Sequence, residues 1–403
     1  MSHPPKTPDP TRTWEEDSGG VGASGEWGDV WEATDEAPGA HPFATAGASR
    51  YGDPALLGQG GMGRVERVLD RRLNRHVALK QLKVPGSSSA SRRLAQEAWI
   101  TAHLEHPGIV PVYDLGFLPD GRYFFTMKQV RGRTFDDVIR EVHDRVEGSE
   151  WTFRSLVDAM LKICEAVAFA HANGVIHRDL KPANIMVGRF GEVLVVDWGL
   201  AKVLAEGDKA DAHLSVRTAS SGGTLVGSVV GTPAYMSPEQ ASGHSQTHGA
   251  ASDVFSLGVM LHEVLAGQSP WEGLGSAEVI KRLRAKDVAV DLDAPHVPAE
   301  LRGICVKAMA PEPDERFVDA AELARALSDY VQQAQQRARA LELLAQAERK
   351  RADTARLLDR AVAIREEVAL QRSLVAPMAP VEVKRPIWSA EDQADRLEEG
   401  AKV

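Results

Sequence analysis

Short hydrophobic runs alternate with polar, turn-forming residues over residues 51–130, and this pattern predicts strands. The runs occur at residues 55–57, 65–69, 77–82 and 123–127. One helix is expected between the third and fourth runs, from about residue 91 to residue 104, because Pro107 and Gly108 follow it closely. The segment therefore predicts a β-rich lobe that contains a single helix.

Apolar positions at helical spacing dominate residues 131–330. Between residues 156 and 172 they recur every three or four positions, and Asn173 and Gly174 then provide a stop signal. Residues 254–266 are apolar on most helix faces and are followed by Gly267, which is typical of a helix buried in the middle of a lobe. A helical second lobe is expected.

Residues 330–373 contain no Gly or Pro, and small apolar residues recur there at three- and four-residue spacing. This predicts a long helix over residues 331–373 with an imperfect, Ala-rich heptad seam. The seam fits either a coiled coil that makes a homodimer or a helix that packs back on the lobe. Residues 374–403 contain Pro377, Pro380 and Pro386 and are expected to form a loosely ordered tail.

Residues 1–50 differ in composition from the rest of the chain. Nine Asp and Glu residues oppose Lys6, Arg12 and Arg50 in a background of Gly, Pro, Ser and Thr. Such a segment buries too little apolar surface to offset its ordering entropy, so a disordered acidic tail is predicted. Its tryptophans, Trp14, Trp27 and Trp31, leave a docking or autoinhibitory role open.

Charge and hydropathy exclude several classes of protein. The net charge is −10 and no long Lys/Arg run occurs, which argues against a nucleic-acid partner. No run of about 18 apolar residues exists, so no membrane span is predicted. Cys164 and Cys305 lie in apolar helical patterns and fit a reducing, cytoplasmic compartment.

The glycine-rich run GQGGMGRV occupies residues 58–65, between two predicted strands. A dinucleotide-binding loop would be followed by a helix, so the strand that follows favours a flap over nucleotide phosphates. Lys80 lies on the third predicted strand among apolar residues, and Glu97 lies on the next helix. The pair is suited to fixing the lysine ammonium against phosphate oxygens.

The run HRDLKPAN at residues 177–184 carries the strongest chemical signal. Asp179 can accept a hydroxyl proton, and Lys181 can neutralise charge on a transferred phosphoryl group. Asn184 and Asp197 supply the oxygen ligands that suit Mg²⁺. These residues predict phosphoryl transfer from ATP, in which positioning and charge neutralisation do most of the work.

Together these motifs resemble those of eukaryotic-type serine/threonine protein kinases of bacteria, over about residues 51–330. The resemblance implies an α+β, bilobal protein-kinase fold, with a β-rich N-lobe and a helical C-lobe, followed here by the long helix. It implies ATP and Mg²⁺ as cofactors and protein Ser/Thr hydroxyls as acceptors. Lys80, Glu97, Asp179 and Lys181 would be catalytic, and Asn184 and Asp197 would bind the metal.

The resemblance also assigns a nucleotide-binding set, with Met127 as the gatekeeper. Its members lie on the flap, on the third strand and in the connection between the lobes: Leu57, Gly58, Gln59, Gly60, Gly61, Met62, Gly63, Arg64, Val65, Ala78, Lys80, Lys128 and Val130.

Further structural roles follow from the same resemblance. Glu239 would pair with Arg316, and Asp253 would anchor the catalytic loop. Trp198 stands where the family usually has Phe; we expect it to fill the space left by the small Thr101.

Regulation by autophosphorylation is expected in the segment between Asp197 and Glu239. Arg178 would bind a phosphate there, with Thr224 as the first candidate site and Ser228 as the second. Three alternatives remain open: a pseudokinase on the same fold, a small-molecule kinase of related fold, and a scaffold that acts through its helical tail.

Overall fold

The computed structural model describes residues 50–59, 63–83, 88–203, 233–243 and 248–402. The acidic tail up to residue 49, the flap residues Gly60, Gly61 and Met62, and the autophosphorylation candidates within 204–232 lie outside the described residues.

A five-stranded antiparallel sheet forms the first lobe, in the order β1-β2-β3-β5-β4. The strands are β1 Tyr51–Gln59, β2 Gly63–Asp70, β3 Arg75–Leu82, β4 Val112–Phe117 and β5 Tyr123–Lys128. Helix α1, Ser88–His103, lies between β3 and β4 in the chain. Strand β4 was not predicted, because Asp114 and Gly116 interrupt its apolar pattern. Its pairing with β5 is also irregular between Val112 and Asp114.

The two faces of this sheet bury different apolar clusters. Val68, Val77, Leu79 and Phe124 form one cluster. Leu82 and Phe125 join Leu94 and Ala98 of α1 in the other, so this helix is held against the sheet by side-chain packing.

The second lobe is mainly helical. Its helices are α2 Phe135–His143, α3 Phe153–Ala172, α4 Pro238–Ala241, α5 Ala250–Ala266, α6 Ser276–Arg284 and α7 Ala299–Ala308. Its short strands are β6 Gly132–Thr134, β7 Val175–Ile176, β8 Ile185–Gly188, β9 Val193–Val195 and β10 Lys202–Val203. Thr152 begins α3 through a capping box with Ser155. Gly267 ends α5 in the left-handed conformation, at φ 77°, as its sequence position predicted.

The chain divides into two compact units, Met1–Leu327 and Ser328–Val403. The predicted long helix is present as α8, Ala320–Leu374. A second helix, α9, spans Val381–Gly400, so the expectation of a loosely ordered tail was wrong for these residues. Among the described helices, none combines the length and the hydropathy that crossing a bilayer requires.

Helices α8 and α9 are joined by a buried seam and by ion pairs. Ala361 and Val368 on α8, and Ile387 and Ala394 on α9, are buried at seven-residue spacing. Arg365 of α8 binds Asp395 and Glu398 of α9. Pairing of two helices thus stabilises a segment whose three prolines had suggested loose order.

Candidate active site

Three charged side chains from different elements meet between β3, α1 and the residues after β9. Nζ of Lys80 lies 2.5 Å from Oε1 of Glu97 and 2.8 Å from Oδ1 of Asp197. Lys80 and Glu97 are largely buried, whereas the Asp197 side chain is 48% exposed. The cluster therefore fixes a buried ammonium group beside a carboxylate that remains accessible from the cleft.

Burial and mutual attraction act in opposite directions on these ionisations. Burial would lower the pKa of Lys80, but Glu97 and Asp197 outweigh it and raise this pKa. Burial opposes ionisation of Asp197, yet Lys80 holds the pKa of that carboxyl below its ordinary value. For Glu97, burial prevails over the attraction of Lys80 and raises the pKa. Lys80 and Asp197 are therefore charged near neutral pH.

The catalytic-loop candidates lie close together on the turn between β7 and β8. Lys181 Nζ donates to Asp179 Oδ2 at 2.7 Å. Asn184 Nδ2 donates to the same oxygen at 3.2 Å and to the Asp179 carbonyl at 2.8 Å. These bonds orient the Asp179 carboxylate and leave its other oxygen, Oδ1, for a hydroxyl proton.

Asp253 of α5 holds the start of this loop by its backbone. Its Oδ2 accepts the amide hydrogen of His177 at 2.7 Å, and its Oδ1 accepts that of Arg178 at 2.8 Å. The carboxylate is fully buried. Burial opposes its ionisation, but His171, His177 and the amide donors outweigh it and lower the pKa of Asp253. Arg178 is held at φ 69°, which is unusual for a residue with a side chain.

The donor set also fits a hard divalent cation. Val196 donates its amide hydrogen to the Asn184 carbonyl at 2.9 Å, which places Asn184 beside the start of the Asp197 segment. The side-chain nitrogen of Asn184 donates to Asp179, and Oδ1 of Asp197 accepts from Lys80. Oδ1 of Asn184 and Oδ2 of Asp197 therefore remain available as metal ligands. Two protein oxygens suit Mg²⁺ bound mainly through phosphates and water.

The family model for the protein kinase domain matches residues 51–345. The chain belongs to the protein kinase family. It is 33% identical over 291 residues to the serine/threonine-protein kinase PknD of Protochlamydia amoebophila, covering 68% of this chain and 29% of that protein. It is 36% identical over 282 residues to PknB of Mycobacterium tuberculosis, covering 68% of this chain and 42% of that protein. The kinase chain thus spans less than half the length of these curated relatives.

The nucleotide-binding candidates of this kinase are placed by strand register. Val65 pairs with Lys80 across β2 and β3, and Ala78 pairs with the gatekeeper candidate Met127 across β3 and β5. Gly63 lies so close to β3 that a Cβ there would collide with the Gln81 carbonyl oxygen, which explains the glycine.

The remaining candidates lie along the same cleft wall. Leu57, Gly58 and Gln59 end β1 and are exposed, Arg64 follows Gly63 on β2, and Lys128 and Val130 lie at the end of β5 and just beyond it. Lys128 donates its amide hydrogen to the Pro111 carbonyl, so its own carbonyl is the backbone group left to accept a hydrogen bond.

Trp198 of the kinase is 1% exposed, and its ring lies 4.6 Å from that of His177. Thr101 is also buried and donates its hydroxyl hydrogen to the Glu97 carbonyl at 2.7 Å. The proposed compensation in volume between Trp198 and Thr101 stays a prediction. The preceding Asp197 has φ 65°, a left-handed conformation that is uncommon for a residue with a side chain.

Sequence reasoning missed two groups that support the site. His171, at the end of α3, accepts the Ala320 amide hydrogen at Nδ1, so its Nε2 carries the proton and donates to Asp253 at 3.0 Å. Tyr235 donates its hydroxyl hydrogen to Glu263 of α5 at 2.9 Å. A polar residue within a buried helix, such as Glu263, was the available sequence signal.

Proposed function

We propose that this chain transfers the γ-phosphoryl group of Mg-ATP to serine and threonine hydroxyls of proteins. The observation that carries the proposal is that Lys80 contacts Asp197, that Lys181 and Asn184 contact Asp179, and that the Val196 amide joins the two groups at the Asn184 carbonyl. Phosphoryl transfer requires positioning and charge stabilisation, and these five side chains supply both.

Each residue has a distinct part in the proposed reaction. Lys80, fixed by Glu97, binds nonreacting phosphate oxygens with an ammonium group that burial keeps in one place. Asn184 and Asp197 hold Mg²⁺, which neutralises phosphate charge when bound. Asp179 orients the acceptor hydroxyl in line and takes its proton at Oδ1. Lys181, whose ammonium group donates to Oδ2 of Asp179, is close enough to offset charge on the transferred phosphoryl group.

The acceptor class is supported by two independent observations. Lys181 contacts Asp179, and the run Asp-Leu-Lys-Pro-Ala-Asn that contains it resembles that of serine/threonine rather than tyrosine kinases. PknD and PknB, which this chain resembles, are both serine/threonine-protein kinases by name. Phosphoamino-acid analysis of a generic basic protein incubated with the chain and Mg-ATP should show phosphoserine or phosphothreonine.

Asp179→Asn is the sharpest test, because it preserves size and the contact from Lys181 while removing the proton acceptor. We expect loss of nearly all phosphotransfer with nucleotide binding retained. Asp329→Asn, at an exposed position on α8, is the matched control and should be fully active. Full activity in Asp179→Asn would contradict the mechanism, whereas nucleotide binding without turnover in the parent chain would indicate a pseudokinase.

Regulation by autophosphorylation is a further part of the proposal. Arg178 precedes Asp179, and its carbonyl accepts a hydrogen bond from Gln240 of α4, at the far end of the 204–232 segment. A phosphate on Thr224, or on Ser228, would bring a charge able to bind the Arg178 guanidinium. Mass spectrometry after incubation with Mg-ATP should find phosphate at one of these sites. A Thr224→Ala, Ser228→Ala variant with full activity would remove this part.

We also propose that two chains pair through the first part of α8. Leu341, Leu343 and Leu344 are 57–66% exposed there, whereas the second part of α8 buries Ala361 and Val368 on the side that faces α9. A cytoplasmic location is proposed as well, supported by the two buried free thiols, Cys164 and Cys305. Cell fractionation would test it.

A further inference from the structure

A cleft of about 820 Å³ opens beside the connection between the two lobes. It is bounded by β2, residues 129–131, β6, the end of β8 and the segment that precedes α3. None of the candidate nucleotide-binding residues contributes to its described lining. The described lining of the cleft therefore differs from the proposed ATP-binding set, although both lie at the same hinge.

The lining of this cleft is strongly basic. Glu150 is the one acidic residue among the described lining residues. Four exposed arginines line the cleft as well, namely Arg67, Arg131, Arg133 and Arg189. Arg133 is paired with Glu141. Within the described part of the chain, Arg67, Arg131 and Arg189 have no carboxylate within ion-pair distance. Three positive charges without an ion-pair partner thus line the cleft against one carboxylate, that of Glu150, and this excess suits an anionic partner.

The cleft also offers polar and aromatic contacts. Gln129 Oε1 is buried in its lining and has no hydrogen-bond partner among the described residues. Trp151 presents a half-buried indole, and Phe190, next to Arg189 in the β8–β9 turn, is 96% exposed. A peptide that combines carboxylates with aromatic side chains matches these groups.

The chain enters the fold at the same end of the sheet as this cleft. Lys128, the last residue of β5, pairs with Val77, and Val77 pairs with Val68 of β2. Tyr51 begins β1 opposite Asp70, two residues beyond Val68. Strands β1 and β5 are three strand spacings apart, or about 14 Å. The 49 residues before Arg50 can extend about 160 Å, so reaching the cleft requires only a short part of them.

We propose that this arginine cleft is the docking site of the chain's own acidic segment, residues 1–49. That segment carries nine Asp and Glu residues against Lys6 and Arg12, and it places Trp14, Trp27 and Trp31 among the acids. Carboxylates bind Arg67, Arg131 and Arg189, and an indole packs on Trp151 or Phe190. Covalent attachment gives the segment an effective concentration in the millimolar range, which favours it over a free acidic partner.

A single fluorophore reports docking in the full-length chain. Cys164 and Cys305 are completely buried, so a cysteine introduced by Val30→Cys can be labelled selectively. We expect high fluorescence anisotropy at about 0.05 M salt and a fall at about 0.5 M, because salt screens exposed charges. Arg131→Glu with Arg189→Glu should give the low value without added salt. Arg349→Glu with Arg351→Glu, exposed on α8, makes the same change in net charge and should leave anisotropy high.

Three outcomes would overturn the proposal. They are low anisotropy in the parent chain, an unchanged value in the Arg131→Glu, Arg189→Glu variant, and an anisotropy that falls on about 100-fold dilution in a chain that also carries Leu341→Glu and Leu344→Glu, which prevent pairing through α8. The last would assign the segment to the cleft of a second copy, because docking within one chain is independent of concentration. If the cleft variant does not fold, Glu26→Gln, Asp29→Asn and Glu32→Gln in the segment should release the label equally, and failure to do so contradicts docking.

Discussion

The Arg316 guanidinium binds both carboxylate oxygens of Glu239, with Nη1–Oε1 at 2.8 Å and Nη2–Oε2 at 2.9 Å. The Arg316 side chain is completely buried, and that of Glu239 is 9% exposed. The guanidinium also donates to the carbonyls of Ala251, Ala310 and Pro311. This pair therefore joins α4, α5 and the residues after α7, and it holds α4, the first helix after residues 204–232, in place.

Arg316→Met should lower the free energy of unfolding by about 3–5 kcal/mol, because it leaves a buried carboxylate without its partner. Urea unfolding followed by circular dichroism measures the change. The exposed Arg356, paired with Asp353 on α8, provides a control, since Arg356→Met should change stability by about 0.5 kcal/mol or less. A loss below about 1 kcal/mol in Arg316→Met would show that the pair is structurally dispensable.

Asp253→Asn should separate positioning from nucleotide binding. The NH₂ group of the asparagine would face the backbone N–H of either His177 or Arg178, and two donors cannot form a hydrogen bond. The catalytic loop thus loses one charge-assisted bond of about 1.5–3 kcal/mol. We expect kcat to fall about 10- to 150-fold with little change in KM for ATP, because Lys80 and Asp197 are held by other contacts. Steady-state kinetics with a peptide substrate would decide this, and an unchanged kcat is the contrary result.

Ionisation of Glu263 should lower the free energy of unfolding as the pH rises. Burial raises its pKa to about 7 despite the hydrogen bond from Tyr235, and Asp136 and Glu272 add to the rise. Its unfolded value is 4.5, so the folded state binds the extra proton, and stability is lost as pH rises from 4.5 to about 7. Glu263→Gln cannot ionise and keeps an acceptor for Tyr235.

Urea unfolding at two pH values tests this sign. Relative to the parent, Glu263→Gln should gain about 1–3 kcal/mol between about pH 5 and about pH 7.5. A difference between the two proteins that is constant with pH would mean that the Glu263 pKa is not raised by folding.

Neither cysteine should react in the folded protein. Cys164 and Cys305 are fully buried, and burial raises the pKa of both thiols, so the reactive thiolate is suppressed as well as shielded. A thiol reagent such as dithionitrobenzoate should label neither residue in buffer and both in denaturant. Rapid labelling of one thiol in buffer would indicate local opening of α3 or α7.

Pairing through α8 predicts a mass change on charge substitution. Leu341→Glu with Leu344→Glu places charges on a face whose side chains are 66% and 61% exposed in the single chain. Light scattering should then report a monomer in place of a dimer. Gln335→Glu with Gln346→Glu, also exposed on α8, adds the same charge and should remain dimeric. A monomeric parent chain would refute the pairing.

Local patterns in the sequence were sufficient to predict the features that depend on residues close together in the chain. The end of helix α5 at Gly267 was predictable, because a single glycine after an apolar run marks the left-handed residue that ends a helix. The contacts among Asp179, Lys181 and Asn184 lie within six residues, so motif spacing already places these side chains together.

Tertiary packing decided contacts between elements distant in the chain. The family resemblance indicated that Asp253 would anchor the loop, but nothing local to α3 marked His171 as its second partner, 82 residues away. The same holds for α9, whose buried Ile387 and Ala394 depend on the presence of α8. It holds also for the arginine cleft, which gathers side chains from Arg67 to Arg189. Local periodicity specifies which face of an element is apolar, whereas the fold decides which faces meet and which charges are left without a partner.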